Sequence, residues 1–193
     1  MANKVQFNLK NVHYAVLTES ESDGNISESY GDVKAVRGAV SVSLTQDGEM
    51  SPFYADGVKY FIANSNQGYS GTLEMAKIPV TMLEDVWGME NDDNGVLVEN
   101  AEDEIREFAL MFEIDGDEDA ELYCFYKCSA ARPNIDSKTN EESKEPSTQS
   151  LDLTISPLLS NGNIKAHTTD DTTTLVRKSW FNKVYGFDGG VEQ

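Results

Sequence analysis

The sequence predicts a mainly β fold of the α+β kind, in which a β-sandwich or small barrel carries one short flanking helix and long loops. Three observations support this prediction. Short runs alternate between apolar and polar residues, turn-forming residues separate the runs, and only one segment has clear helix boundaries. The 193 residues suffice for one hydrophobic core, so we expect residues 1–193 to form a single domain.

The first alternating run changes phase partway along. Phe7 and Leu9 alternate with polar residues, but beyond Asn11 the apolar positions shift to Val12 and Tyr14. A shift of one residue moves side chains to the opposite face of a strand, so the sequence predicts a bulge or break at this point.

The other alternating runs predict six further strands, for seven or eight in all. They are Val40, Val42 and Leu44; Val58, Tyr60 and Ile62; Leu73 and Met75; Phe108, Leu110, Phe112 and Ile114, the clearest half-buried strand; LYCFYKCSA after the acidic turn DGDEDAE; and Leu151, Leu153 and Ile155.

One short helix is predicted in IPVTMLEDVWGME. Thr81 can cap the first turn with Glu84 as its reciprocal partner, and Gly88 suits a left-handed stop that lets Met89 fold onto Leu83. The helix is barely two turns long, so packing on a sheet must stabilise it.

A second short helix is possible near the C-terminal end, in TLVRKSWFNKVYG. Val176, Trp180 and Val184 recur there at intervals of four, which places them on one side of a helix.

Two polar segments interrupt the predicted strands. An arm or loop is expected around residues 18–32, and a long solvated loop is expected at 132–150, where the sequence has almost no apolar residue. A loop of that length in a compact domain usually has a function or is disordered.

Charge limits the kinds of partner. The chain has 34 acidic and 15 basic residues, for a formal net charge of −19. Such a charge repels phosphate and anionic lipid, so a tight nucleic-acid binder or anionic-membrane binder is not expected. An excess of acidic residues can also serve only to keep an abundant protein soluble.

The sequence predicts synthesis and folding in a cytoplasm. The first residues lack the apolar run of a signal peptide, and no stretch has the ~20 apolar residues that span a bilayer. Cys124 and Cys128 lie four residues apart in a strand-like run, about 13 Å at ~3.3 Å per residue, so we expect two reduced, partly buried thiols.

Catalytic residues are poorly represented. His13 lies in a predicted strand and His167 in an exposed segment, and neither is near a nucleophile in the sequence. The run GYSGT approaches a nucleophile elbow, but Thr72 stands where glycine is needed. We therefore expect no enzyme activity and no cofactor.

Metal binding has one weak candidate. Asp115, Asp117 and Asp119 alternate in the acidic turn and are suitable oxygen ligands for calcium. The spacing differs from that of a calcium-binding loop, since Tyr126 stands where a glutamate would be required. A solvated hairpin turn is the favoured interpretation.

Aromatic residues are concentrated in SPFYADGVKYFIANSNQGYSGTLEM, among glycine, serine and asparagine. The stretch contains no histidine, cysteine or arginine, so no neighbouring residue indicates a catalytic role for its aromatic side chains.

Three long stretches closely resemble the major tail proteins of long-tailed, non-contractile phages of Gram-positive bacteria. They are YGDVKAVRGAVSVSLTQDGEMSPFYADGVKYFIANSNQGYSGTLEMAKIPVTMLEDVWG, FALMFEIDGDEDAELYCFYKCSAARP and KSWFNKVYG. The resemblance runs in order from about Val5 to Tyr185. The arm around ESESDGNISESYG and the loop at 134–147 depart from it.

The resemblance implies a tube. Such proteins are similar in fold to the tube protein of type VI secretion, and they form hexameric rings stacked on a tape-measure protein. Tail-terminator and tail-tip proteins are the other implied partners, and DNA passes through the lumen without specific binding. The implied location is the virion tail, assembled in the host cytoplasm without contact with a membrane.

Interface candidates follow from the resemblance and the aromatic stretch together. We expect Phe53, Tyr54 and Tyr60 on a hairpin that reaches a neighbouring subunit, with Gly57 at its turn and Tyr69 beside its base. The simpler alternative is that these rings fill the core of their own subunit.

A different function also remains open. A carbohydrate-binding β-sandwich of a phage adhesion device could use Tyr54, Tyr69 or Trp180 as a platform for a sugar ring. It predicts a stable monomer that binds a glycan.

Overall fold

The chain folds into thirteen strands and two short helices in the part that is described. The computed structural model describes residues 3–135, 137, 139 and 146–186. The strands are β1 (Gln6–Ser22), β2 (Asn25–Tyr30), β3 (Lys34–Ala35), β4 (Ala39–Asp47), β5 (Met50–Ala55), β6 (Val58–Asn64), β7 (Gly68–Met75), β8 (Glu90–Asn91), β9 (Leu97–Val98), β10 (Phe108–Gly116), β11 (Glu121–Ala130), β12 (Gln149–Ser156) and β13 (Lys165–His167). The helices are α1 (Val80–Trp87) and α2 (Thr174–Ser179).

Most strands belong to one antiparallel sheet. Its order is β2-β1-β10-β11-β12-β7-β4, with β3 beside β1 and β13 beside β11. Strand β4 also approaches β1, so the sheet curls until its two ends are near each other. The mainly β prediction is confirmed, and the architecture is that of a curled, sandwich-like sheet.

The curled sheet encloses the main core. This inner core contains Val12, Tyr14, Leu73, Met75, Phe108, Leu110, Phe112, Phe125, Leu151, Leu153 and Ile155 from the strands and Met82, Val86 and Trp87 from α1.

A smaller outer core covers the opposite face of the sheet. Ala109 and Met111 of β10 point into it, where Trp180 and Val184 close over them. The prediction of a half-buried strand at β10 is therefore wrong, because the segment around α2 buries the second face.

A second helix is present at α2, and Val176 packs against this outer core. The helix ends at Ser179, so Trp180 is its C-cap and Val184 lies beyond it, contrary to the predicted helical stripe.

The phase change in β1 is confirmed. Asn11 has φ 50°, and the pairing of β1 with β10 shifts register between Lys10 and His13. Val12 and Tyr14 are consequently buried in the inner core. Strand β1 continues through the bulge without ending.

Helix α1 ends as predicted but begins differently. Gly88 has φ 72°, and the N–H of Met89 donates to the Leu83 carbonyl at 3.4 Å. The predicted Thr81 cap is wrong: Pro79 is the N-cap and makes no side-chain capping bond, so Thr81 lies inside the first turn. Proline tolerates this position because its fixed φ suits a helix start.

The expected arm is a β-hairpin. Strands β1 and β2 pair from Leu17 with Tyr30 to Ser22 with Asn25. Glu28 is buried and accepts the Leu159 N–H at 2.8 Å, which ties this hairpin to the loop after β12.

The polar segment at 132–150 is only partly described. Residues 136, 138 and 140–145 lie outside the described residues. At its start Arg132 pairs with Glu99 and donates to the Asp103 carbonyl at 3.0 Å. At its end β12 already begins at Gln149.

The cysteines are free and more deeply buried than expected. Burial raises the pKa of Cys124 to about 12 and also raises that of Cys128. Among the described residues, no helix is both long and apolar enough to cross a membrane.

Gly68 generates a prediction about stability. It has φ 117°, and a Cβ added there would overlap the Ile155 carbonyl oxygen. We expect Gly68→Ala to lower the free energy of unfolding by roughly 1–3 kcal/mol, measured by urea denaturation. Gly24→Ala is the matched control, because Gly24 also has positive φ but has open space around its Cβ position. Equal losses in the two variants would contradict the proposed overlap.

Glu121 generates a prediction about pH. Its carboxylate accepts hydrogen bonds from Tyr123 at 2.7 Å and Gln6 at 2.8 Å, and the Tyr123 bond is the main reason that its pKa lies below the ordinary 4.5. A lowered folded-state pKa stabilises the fold above pH 4.5, and this contribution is lost as pH falls through the folded pKa.

Glu121→Gln should therefore flatten the fall in melting temperature below about pH 4.5. Thermal unfolding followed by circular dichroism from pH 3 to 7 measures this. Glu118→Gln in the same turn is the control, and an equally flattened profile there would assign the effect to general charge.

Candidate assembly surface

The aromatic stretch forms a two-stranded ribbon that leaves the main sheet. The ribbon consists of β5 and β6, which pair only with each other among the described residues. Backbone bonds join it to β4 and β7: the Gln67 N–H donates to Asp47 at 2.9 Å, and the Ser65 N–H donates to Glu49 at 3.3 Å. The two strand pairs therefore form one long hairpin.

The tip of the ribbon is a tight turn. Asp56 has φ 52° and Gly57 has φ 77°. Positive φ at both central residues matches the twist of two paired strands, and Asp-Gly is a favoured sequence for this turn. The sequence therefore fixes the turn, and with it the register of the ribbon.

Both faces of the ribbon are apolar and exposed. Phe53 pairs with Phe61, and Pro52 pairs with Ile62 in the next register position. Cross-strand partners share a face and successive residues alternate, so these two pairs lie on opposite faces. Phe53 and Phe61 are each 61% exposed.

Tyr60 is the most exposed aromatic residue of the ribbon. It is 74% exposed and lies at a register shift, because Phe53 pairs with Phe61 but Tyr54 pairs with Lys59. Such a bulge increases the local twist and redirects the side chain. The alternation expected from Val58 to Ile62 is interrupted there.

Tyr69 differs from the other candidates. It lies in β7, is half-buried against the inner core, and meets the Phe125 ring edge-on with centroids 5.5 Å apart. The Lys165 ammonium lies 4.9 Å from the centre of the Tyr69 ring. Most of the Tyr69 side chain is therefore covered by its own subunit, which agrees with the alternative that these aromatic rings fill the core of their own subunit.

An open cavity of about 600 Å³ lies at the base of the ribbon. Its lining includes Asp47, Glu49, Ser65 and Gln67. Asp47 accepts a hydrogen bond from Ser70 at 3.0 Å, so this carboxylate already has a structural partner.

The calcium candidates do not converge on one point. Asp115 pairs with Lys10 at 2.6 Å, and Asp117 accepts the Lys4 N–H at 2.8 Å. The backbone N–H of Asp119 instead donates to Asn3 at 3.1 Å. Among the described residues, no group of three histidine, cysteine or acidic side chains is arranged to hold a metal ion.

The histidines pack against aromatic rings. His13 stacks on Phe181 with centroids 4.5 Å apart, and its Nδ1 lies 2.7 Å from the Asn11 carbonyl oxygen. His167 stacks on Tyr123 at 5.5 Å. Both contacts are structural.

The sugar-platform residues are dispersed. Trp180 is 3% exposed and stacks on Tyr185, and Tyr69 contacts the inner core. Only Tyr54 presents most of its ring to solvent. Trp180 therefore cannot serve as a platform, and the three residues do not form one surface.

Sequence reasoning missed Phe61 and Ile62 as interface candidates. The signal was present, since YFI in VKYFIAN places large apolar residues at consecutive positions. Consecutive apolar residues in a strand occupy both faces.

Comparison with known proteins adds no relative. No family model matches the chain, and no curated protein matches it at a significant level.

Proposed function

We propose that this chain is a structural virion protein that assembles into stacked hexameric rings and so forms a tail tube for DNA. The ribbon carries this proposal, because its apolar side chains face solvent on both sides. Monomeric proteins rarely leave such a surface uncovered, whereas a subunit that meets identical copies requires one. The resemblance to phage major tail proteins supplies the ring and the tube.

The exposed aromatic side chains of the ribbon can contribute enough free energy for cooperative assembly, but not for a tight complex of only two subunits. Phe53, Tyr54, Tyr60 and Phe61 are each more than half exposed. Together they offer roughly 400 Å² of apolar surface. Burying this area contributes about 10 kcal/mol, which is comparable with the ~4–15 kcal/mol cost of association. Closing the hexameric ring adds one more contact between subunits without the entropy cost of immobilising another free subunit, so assembly is cooperative.

The proposed partners follow the phage architecture. Copies of this chain are the main partner, and a tape-measure protein, a tail terminator and tail-tip proteins set the length and the ends. The subunits assemble in the host cytoplasm and function in the virion tail. No catalytic step is part of this function.

Charge supports the role of a conduit. With −19 per copy, carboxylates that face the lumen repel DNA phosphates. The repulsion extends about 8 Å from the wall at physiological salt. DNA therefore passes without adhering.

Replacing one ribbon ring by a carboxylate should abolish assembly. We expect Tyr54→Asp and Tyr60→Asp to remain folded monomers, because each places a charge in the apolar contact while the cores are untouched. Sedimentation velocity and negative-stain electron microscopy of the wild-type and variant proteins measure the loss of polymer. Circular dichroism reports folding.

Leu175→Asp is the matched control. Leu175 is 72% exposed in α2, so the variant adds the same charge to an exposed apolar residue away from the ribbon. It should assemble like the wild type. Tubes of normal length from Tyr54→Asp and Tyr60→Asp would refute the proposal, and glycan binding by a stable monomer would favour the carbohydrate-binding alternative.

A further inference from the structure

A second concave surface lies where the curled sheet fails to close. We call it the closing groove; residues 9–13 of β1 and 35–39 line this cavity of about 420 Å³. Among the described residues, β1 pairs only with β10 before His13, and β4 pairs only with β7. The Val36 N–H donates to the Val12 carbonyl at 2.7 Å and the Ala76 N–H donates to the Gly38 carbonyl at 2.7 Å, so these backbone groups are already paired. In the described part of the chain, no strand other than β10 pairs with β1 before Val12, so that part of β1 remains a strand edge beside the groove.

The groove continues into exposed apolar surface. Leu9 is half-buried beside the inner core, and Phe7, two residues earlier in β1, is 65% exposed. The pairing of β1 with β10 shifts register between Gln6 and Leu9. Val40 at the start of β4 is 51% exposed. Apolar side chains thus occupy both rims.

Charge distinguishes the groove from the rest of the chain. Its ten lining residues include Lys10 and Arg37 and no acidic residue, although the whole chain carries −19. Lys10 pairs with Asp115 at 2.6 Å. Arg37 is exposed and forms no ion pair with any residue that the structure describes.

We propose that the ribbon of one copy docks into the closing groove of a second copy, with Asp56 at the tip placed near Arg37. The inference rests on the proposed self-assembly and names the surface that receives the ribbon. Each ribbon strand of six or seven residues spans about 20 Å at ~3.3 Å per residue, as do the six residues from Gln6 to Asn11. The ribbon therefore matches the groove and the adjoining part of β1 in length and apolar character, and Asp56 is opposite in charge to Arg37.

The ribbon cannot occupy the groove of its own copy. The groove lies at the Ala39 end of β4, and the ribbon departs from the Asp47 end. Nine residues of strand separate the two ends by roughly 25–30 Å. Donor and acceptor surfaces therefore lie at opposite ends of one strand, so the contact is head-to-tail and generates a ring or a filament.

A mixing experiment tests the pairing. Tyr60→Asp disables the donor ribbon and leaves the groove intact. Phe7→Asp instead places a charge on the exposed apolar surface of β1 beside the groove and leaves the ribbon intact. Each variant alone should stay at 21.3 kDa at every concentration, whereas the weight-average mass of an equimolar mixture should rise with concentration toward twice that value and not exceed it, because one ribbon contact holds only a weak pair. Sedimentation velocity across a concentration series measures both, with circular dichroism confirming that each variant is folded.

A charge swap tests the orientation. Arg37→Glu and Asp56→Arg should each weaken assembly at least tenfold, and the double variant should return to within about threefold of the wild type. Arg37→Glu with Ser51→Arg is the control pair, because it places the new positive charge on an exposed ribbon residue at the end away from the tip, and it should give no recovery.

The outcomes separate this inference from the proposed function. Polymers from Phe7→Asp like those of the wild type, or a mixture whose mass stays at 21.3 kDa across the whole concentration series, would overturn docking in the groove while self-assembly stands. A wild-type protein that stays at 21.3 kDa at every concentration would overturn the proposed function and the docking with it.

Discussion

A ribbon with large apolar side chains on both faces imposes a constraint that one copy of this chain does not meet. A sheet can cover only one face of a strand pair that packs against it, and here none of the ribbon side chains that the structure describes packs against either core. An isolated two-stranded hairpin is at best marginally stable in water. This ribbon extends the paired β4 and β7, so the main sheet determines its position while its surface remains open.

The two cores give the ribbon a stable support that does not depend on assembly. Strand β10 contributes to the inner core through Phe108 and to the outer core through Met111, so the centre of the sheet is covered on both sides. Trp87 donates to the Ala130 carbonyl at 3.3 Å and holds α1 against β11. Lys127 bridges Glu19 and Glu107, which secures the β1–β2 hairpin. The residues that stabilise the fold are thus different from the ribbon residues to which the proposed assembly is assigned.

Some local features of the fold were predictable from the sequence, although the start of α1 at Pro79 was not, and long-range features were not. The bulge at Asn11 and the end of α1 at Gly88 depend on neighbouring residues, and both follow from pattern and φ preference. The burial of both faces of β10 depends on a segment some 70 residues later in the chain.

The candidate assembly surface likewise has features that neighbouring residues determine and features that distant residues determine. The Asp-Gly turn at 56–57 could be predicted because two adjacent residues determine it. The half-burial of Tyr69 could not, since it depends on Phe125 across the sheet. The dispersal of the Asp115, Asp117 and Asp119 contacts likewise depends on Asn3, Lys4 and Lys10, which are distant in sequence.

Charge distribution explains how such an adhesive surface could avoid nonspecific association. The ribbon strands and their turn carry only Asp56 and Lys59, so the ribbon is neutral within a chain of −19. Two copies that meet with acidic surfaces facing repel each other within about 8 Å at physiological salt. An encounter is attractive only where a neutral or basic patch is present on both sides. Apolar attraction is not directional in itself, so in the proposed assembly the surrounding acidic residues would favour the orientation in which the ribbon meets the closing groove.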